Sequence, residues 1–283
     1  MTKWTLRGAT TSYVVEVPEH GQWAALVAWG PHAVADGPST VAPVGTVHFL
    51  TTADVEPLEY AVRGVRYANP TELVVSGPEG SDEARPIFVD ASQSIETLEL
   101  TFVDPLTSLR VLLHYRMPTG LDVVERWVSI HNDGAAELTL HQHDSAGFVI
   151  PTSNGAAISY LWGEWNSEFQ QSTIVLPRGR FTIDSRQGIT GHSYSPFLSV
   201  ADGEDQTGTT WGVQLAWSGS WQLSAEVDTT GQTRIQAGRA PSTLGLTLAP
   251  GSSWVSPPAV GACSPEGPDG LARAFHAYQR SLA

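Results

Sequence analysis

Cysteine is almost missing from this sequence. Cys263 stands alone among 283 residues, which excludes an intramolecular disulfide framework and any cysteine-based zinc site. Lysine is equally scarce: Lys3 is the only one, and a formal net charge of −14 leaves no basic stripe to follow a phosphate backbone. Nucleic acid is therefore not an expected partner. Apolar runs stay far short of the ~20 residues that a membrane span requires, so no membrane partner is expected either. The start, Met1-Thr2-Lys3-Trp4, lacks the basic and apolar regions of a secretory signal, and Asn-x-Ser/Thr acceptors are missing. The expected setting is cytoplasmic. No repeat with a period of about 20 to 50 residues is found, which sets solenoids and propellers aside.

What the chain does have is core material: 41% hydrophobic residues and ten tryptophans. Its length suits one large all-β unit, since such folds reach roughly 200 to 250 residues. Short runs rich in Val, Thr, Ile and Trp are broken by Gly, Pro, Asn or Asp, the pattern of sandwiches and barrels. The clearest series is Glu96–Val103, Ser108–Arg116, Leu121–His131 and Glu137–Ile150, which reads as consecutive antiparallel strands, with a short hairpin at Asn132-Asp133-Gly134. In Leu121–His131 both alternating sets are apolar, so two packed sheets are expected. After Gly267 the period changes. Leu271, Phe275, Tyr278 and Leu282 recur at helical spacing, predicting an amphipathic helix from about Pro268 to the end, with its apolar face partly uncovered. Gly30–Val44, Ser76–Arg85 and Ala201–Gly208 read as loops, with Asp202-Gly203-Glu204-Asp205 as a solvated turn.

Several groupings invite a chemical reading. Strand alternation puts His141 and His143 on one face, close enough to share an ion, but no third ligand is evident, and a half-exposed sheet accounts for them more simply; no metal and no cofactor are expected. Glu164 and Glu168 flank Trp165, a carboxylate pair beside a ring suited to stacking on a sugar. Trp162, Trp165, Trp211, Trp217 and Trp221 offer flat faces for a carbohydrate-binding module, yet tryptophan is usually buried, and only Trp165 stands out. Arg186, Gly188, His192, Tyr194 and Pro196 form a polar, Gly-punctuated segment of the kind that carries contacts.

The order Gly163-x-Trp165, Glu168, Leu176-x-x-Gly179, Ser185-Arg186-x-Gly188, His192 and Pro196-Phe197-Leu198 resembles the N-terminal domain of glycoside hydrolase family 36 α-galactosidases. Trp29-Gly30, Trp217-Ser218-Gly219, Gly231-Gln232-Thr233-Arg234, Leu248-x-Pro250-Gly251 and Pro257-Pro258-Ala259-Val260 extend the resemblance over nearly the whole chain. It implies an all-β super-sandwich of the galactose mutarotase-like type, with two large antiparallel sheets over residues 1–265 and a helix, 266–283, that would lead into a (β/α)8 catalytic barrel. Retaining glycosidases work with two carboxylates about 5 to 5.5 Å apart; in this family both stand on the barrel, so no catalytic residue is expected here. The implied role is non-catalytic: supporting the barrel domain of the same parent protein and forming homo-oligomer contacts, with α-galactoside touched at most peripherally. Substrate or interdomain contacts are expected from Trp165, Glu168, Arg186, His192 and Tyr194. Arg63, Arg66 and Tyr67 join them, because Glu59–Pro70 is similar to a family loop that reaches a neighbouring subunit's active site, although the family's acidic residue and later arginine are lost. Two alternatives stay open, a free-standing carbohydrate-binding module and a mutarotase-like epimerase using His192 with Glu168 as acid and base.

Overall fold

The computed structural model of the protein describes residues 2–35, 37, 39–41, 49–152, 156–203, 208–242 and 244–283. In chain order its strands are β1 (Thr2–Arg7), β2 (Thr11–Val17), β3 (Ala25–Pro31), β4 (Leu73–Ser76), β5 (Ile87–Gln93), β6 (Thr97–Val103), β7 (Leu109–Arg116), β8 (Val123–Asn132), β9 (Leu138–His143) and β10 (Ala146–Ile150). The second half supplies β11 (Ala156–Glu164), β12 (Ser167–Val175), β13 (Gly179–Ser185), β14 (Tyr194–Asp202), β15 (Thr210–Leu215), β16 (Trp221–Val227), β17 (Thr233–Arg239), β18 (Leu246–Leu248), β19 (Ser253–Val255) and β20 (Ala259–Ser264). One turn of helix, α1 (Thr52–Val55), precedes β4, and α2 (Gly267–Ser281) follows the last strand.

One large sheet runs β12-β11-β14-β15-β20-β8-β7-β6-β5, with β19 also paired to β8. The opposing layer is divided into the four-stranded β10-β17-β16-β13 and the three-stranded sheets β1-β2-β3 and β18-β9-β4. Aromatic side chains tie the sheets together: Tyr160 of β11 lies 4.8 Å from Phe181 of β13, joining the two layers, and Trp29 of β3 lies 5.4 Å from Phe148 of β10, joining two sheets of the opposing layer. A Cβ on Gly261 of β20 would meet Phe148 at 2.7 Å and Trp29 at 2.9 Å, so the layers close there only because glycine has no side chain. This is the super-sandwich that the sequence leads one to expect.

β8 shows why both faces of a strand can be apolar. Val124, Val128 and Ile130 enter the core between the layers, while Val123 packs outward with Val260, Ala262, Leu271, Phe275 and Tyr278 under α2. The apolar face of α2 is covered at Leu271, Phe275 and Tyr278, which are buried, and uncovered at Leu282, which is exposed. A departure from expectation concerns Glu137–Ile150. β6, β7 and β8 are consecutive antiparallel neighbours, but the next run splits at Asp144-Ser145 into β9 and β10, which join two different sheets. Asn132-Asp133-Gly134 therefore makes no hairpin; the remaining side of β8 is taken by β19 and β20. Asn132 instead donates through Nδ2 to Ala136 O and Leu248 O, tying the chain to β18. Glu204 and Asp205 of the expected turn, and residues 36, 38 and 42–44 of the first expected loop, lie outside the described residues.

Candidate functional site

The β11–β12 hairpin carries the segment that the sequence marks most strongly. A register shift between Trp162 and Glu164 and the left-handed backbone of Asn166 (φ 64°) and Phe169 (φ 58°) shape its tip. Asparagine tolerates that conformation; phenylalanine adopts it only when its surroundings impose it. At Gly163 a Cβ would come within 2.7 Å of both Glu168 Cα and Ser167 O, so this glycine permits the two strands to close. Trp162 adds a hydrogen bond from Nε1 to Ser172 Oγ at 2.8 Å. The result is a fixed tip that presents Trp165, 75% exposed, and Phe169, 72% exposed.

The β13–β14 connection brings the second part of the expected set to this tip. His192 Nδ1 stands 3.4 Å from Glu168 Oε1, and its ring meets Trp165 edge to face at 5.5 Å. The connection is held from beneath, with Ser185 Oγ donating to Ile189 O, Gly188 N to Ser220 Oγ and Trp221 Nε1 to Thr190 Oγ1. Tyr194 pairs across β14 with Trp162 of β11. Arg186 turns elsewhere: its Nε donates to Asp184 Oδ2 at 2.7 Å and its Nη2 reaches Gln222 Oε1 at 3.3 Å. Trp165, Glu168, His192 and Tyr194 thus share one end of the large sheet, and Arg186 flanks them.

Beside this tip a groove of about 490 Å³ opens between the outer face of β11, β12, β14 and β15 and the helix α2. Phe169, Pro196, Phe197, Leu271 and Phe275 give it an apolar floor, with His276 and Gln279 on its rim. Sequence reasoning missed Phe169 and this wall of α2. The helical period signalled that the helix would pack, but not that it would stop short of covering the sheet.

Arg63, Arg66 and Tyr67 occupy a different place. Arg66 is 1% exposed and its Nη2 donates to Asp54 O and Glu56 O at the end of α1, so it braces the loop from within; burial lowers its pKa to about 10. Tyr67 is partly exposed, its hydroxyl 2.9 Å from Gly64 O and accepting from Arg85 Nη2 at 3.2 Å. The Arg63 guanidinium lies 5.7 Å over the Tyr67 ring. Tyr67 and Arg85 line a cleft of about 580 Å³ with His20 and Trp23.

The two β9 histidines are separated by a bulge. Val74 pairs with Gln142 and Val75 with Leu140, which displaces His141 outward to Ser76 Oγ at 2.7 Å and leaves His143 buried against Trp254. They do not share a face. Trp211 and Trp221 are core residues, whereas Trp162, Trp165 and Trp217 keep exposed surface.

No local sequence pattern announces the buried ionic groups. Glu59 Oε2 meets Arg126 Nη2 at 3.1 Å, and Glu72 Oε1 meets Arg234 Nε at 2.7 Å. Burial works against the Arg126 charge, but Glu59, Tyr13 and Tyr115 outweigh it and hold the guanidinium above its usual pKa. Glu72 Oε2 also accepts from Ala61 N. These pairs therefore pin the Glu59–Pro70 segment to the interior.

Comparison with known proteins completes the picture. The profile of the glycosyl hydrolase family 36 N-terminal domain matches residues 59–249. A probable alpha-galactosidase C of Aspergillus terreus is 31% identical over 199 residues, covering 69% of this chain and 26% of that protein. Alpha-galactosidase 2 of Pediococcus pentosaceus is 27% identical over 273 residues, covering 89% and 37%. The crystal structure of the GH36 alpha-galactosidase AgaA from Geobacillus stearothermophilus superposes with a TM-score of 0.89 at 24% identity, over 97% of this chain and 42% of that one. A putative aldose 1-epimerase of Escherichia coli K12 shares the fold at a TM-score of 0.51 and 13% identity, over 93% of this chain and 99% of that one. Against the α-galactosidases the chain spans between 26% and 42% of the partner's length.

Proposed function

The chain belongs to the glycosyl hydrolase family 36 N-terminal domains, and from that premise we propose that it is the non-catalytic β domain of an α-galactosidase-like retaining glycosidase. In this reading residues 1–265 form the domain proper and 266–283 lead towards a (β/α)8 barrel. The barrel supplies both carboxylates that a retaining mechanism requires about 5 to 5.5 Å apart; this chain supplies none. The setting is cytoplasmic and the assembly a homo-oligomer, to which the Arg63–Tyr67 loop contributes.

The observation that carries the reading is the groove between α2 and the large sheet. Phe169 of its apolar floor, together with Trp165 and Ile189 on the neighbouring hairpin tip and connection, is more than 60% exposed. So much apolar surface at one end of the large sheet marks an interaction face, and the relatives, which extend well beyond the matched region, have a further domain to place on it. Arg186, His192 and Tyr194, at or flanking the neighbouring hairpin tip, then serve as polar contacts.

The test is reconstitution. The purified chain alone should leave an aryl α-galactoside intact, and mixing it with a separately produced family 36 barrel should give co-elution and restore hydrolysis. Turnover proportional to the concentration of the isolated chain would overturn the proposal.

The 3.4 Å approach of His192 to Glu168, on a fold shared with an aldose epimerase, favours a second reading, mutarotation by acid and base. Polarimetry on freshly dissolved α-galactose decides it. Only catalysis that His192→Ala abolishes supports this alternative.

A further inference from the structure

We propose that the cavity between the loops that follow β4, β6 and β8 binds a small organic cation, an amine carried on an apolar body. The cavity measures about 650 Å³, a size typical of small-molecule sites, and shares no residue with the groove beside α2. Its bottom is apolar, formed by the buried Val75, Ala84 and Leu138. Leu106, Ala135 and Ala136 line it nearer to solvent. Two carboxylates, Glu79 and Glu83, also line it, and no lysine, arginine or histidine does. Glu83 is partly engaged, since its Oε2 accepts from Arg85 Nη2 and from the Tyr67 hydroxyl. Glu79 is free: among the described residues no hydrogen bond or ion pair occupies it.

An apolar bottom beneath an uncompensated negative charge selects a ligand of matching make-up. Its hydrocarbon part leaves water for the bottom of the cavity, and its ammonium group donates to the Glu79 carboxylate, a charge-assisted hydrogen bond. An anionic head would meet only like charge. A second copy of this chain is a poor occupant, because Lys3 is its only lysine and each copy carries a net charge of −14, which attracts cations over a distance and repels its like.

The walls are fixed before any ligand arrives. Asp104, 1% exposed, accepts from Leu106 N at 2.9 Å, Thr107 Oγ1 at 3.1 Å and Arg85 N at 3.3 Å, which ties the first loop to the second. Asp133 N donates to Ser108 O at 3.2 Å, which ties the second to the third. A Cβ on Gly134 would lie 2.4 Å from Thr107 O, so only glycine lets those two loops approach. Little loop entropy remains to be lost on binding.

Saturation-transfer NMR titrations of the intact chain with phenethylamine, phenethyl alcohol and phenylpropionate test this, since the three present one ring with a cationic, a neutral or an anionic end. The amine should bind, the alcohol about fivefold more weakly, and the carboxylate not measurably. Glu79→Gln, at an exposed position, should keep the circular dichroism spectrum, lower the affinity for the amine to that for the alcohol, and leave the alcohol unchanged. Ala135→Trp, which fills the cavity from its exposed side, should abolish binding of both. The site is refuted if the amine gives no saturation, if amine and alcohol bind equally, or if either variant binds the amine as the unaltered chain does.

Discussion

Arg126 and Glu59 face each other at 3.1 Å with side chains only 4% and 0% exposed, across 67 residues of sequence. The guanidinium also lies 4.6 Å over the Phe148 ring and donates to the carbonyls of Gly147 and Glu59. Strand β8 and the segment that follows α1 are locked together at this point.

Removing one partner of such a pair strands the other charge without water. Glu59→Gln, nearly isosteric, should lower the free energy of unfolding by about 3 to 5 kcal/mol, read from urea denaturation with an unchanged m-value. A loss under 1 kcal/mol would show that the pair is not ionised together.

Two neighbouring groups bend the pH dependence of stability in opposite directions. Burial pushes the Asp144 carboxyl up to about 7, so the native state holds a proton that the unfolded chain has released, and stability falls as pH rises from about 4 to 7. Burial, helped by Arg239, brings His143 down to about 4; the unfolded chain then binds the extra proton, and stability rises between about 4 and 6.5. The two slopes largely cancel. Asp144→Asn should expose the rise due to His143, and His143→Phe the fall due to Asp144, in urea midpoints taken at pH 4.5, 5.5 and 6.5.

Phe275 of α2 is 3% exposed, and a Cβ on Gly212 of β15 would meet its ring at 3.0 Å. Truncation by Phe275→Ala should cost about 3 to 5 kcal/mol and loosen α2 from the sheet before the sandwich unfolds. Amide exchange in residues 267–281 that accelerates ahead of exchange in β8 is the expected signature.

Cys263 is buried in β20, and burial, with Asp122 adding to it, raises its thiol pKa well above the usual value. Ellman's reagent should leave the native protein untouched and titrate one thiol in denaturant. Rapid reaction without denaturant would mean that β20 opens readily.

Much of this was written in local pattern. The alternation in β6, β7 and β8 and the four-and-three spacing in α2 each depend on a dozen residues or fewer, and both elements formed as read. His192 and Glu168 were legible only through the family order of motifs, and they do meet. The rest lay in long-range relations. The bulge that separates His141 from His143 is dictated by pairing with β4, some 65 residues earlier. Arg234 finds Glu72 at a sequence distance of 162, and no window along the chain contains both. The division of Glu137–Ile150 followed the same logic: Asp144 donates its backbone N–H to Glu72 O, a contact that draws the strand out of one sheet and into another.

The place of β8 in the large sheet bears on how the chain is made. Its neighbours β7 and β20 are separated by well over a hundred residues, and β19 and β20 come just before the final helix. On a ribosome, β5 to β8 can assemble early, but the far side of β8 stays open until the chain has emerged beyond Ser264. That unfilled edge, apolar on both faces, is the aggregation hazard of a half-synthesised molecule. Its long wait for a distant partner predisposes the protein to slow folding and to chaperone capture during translation.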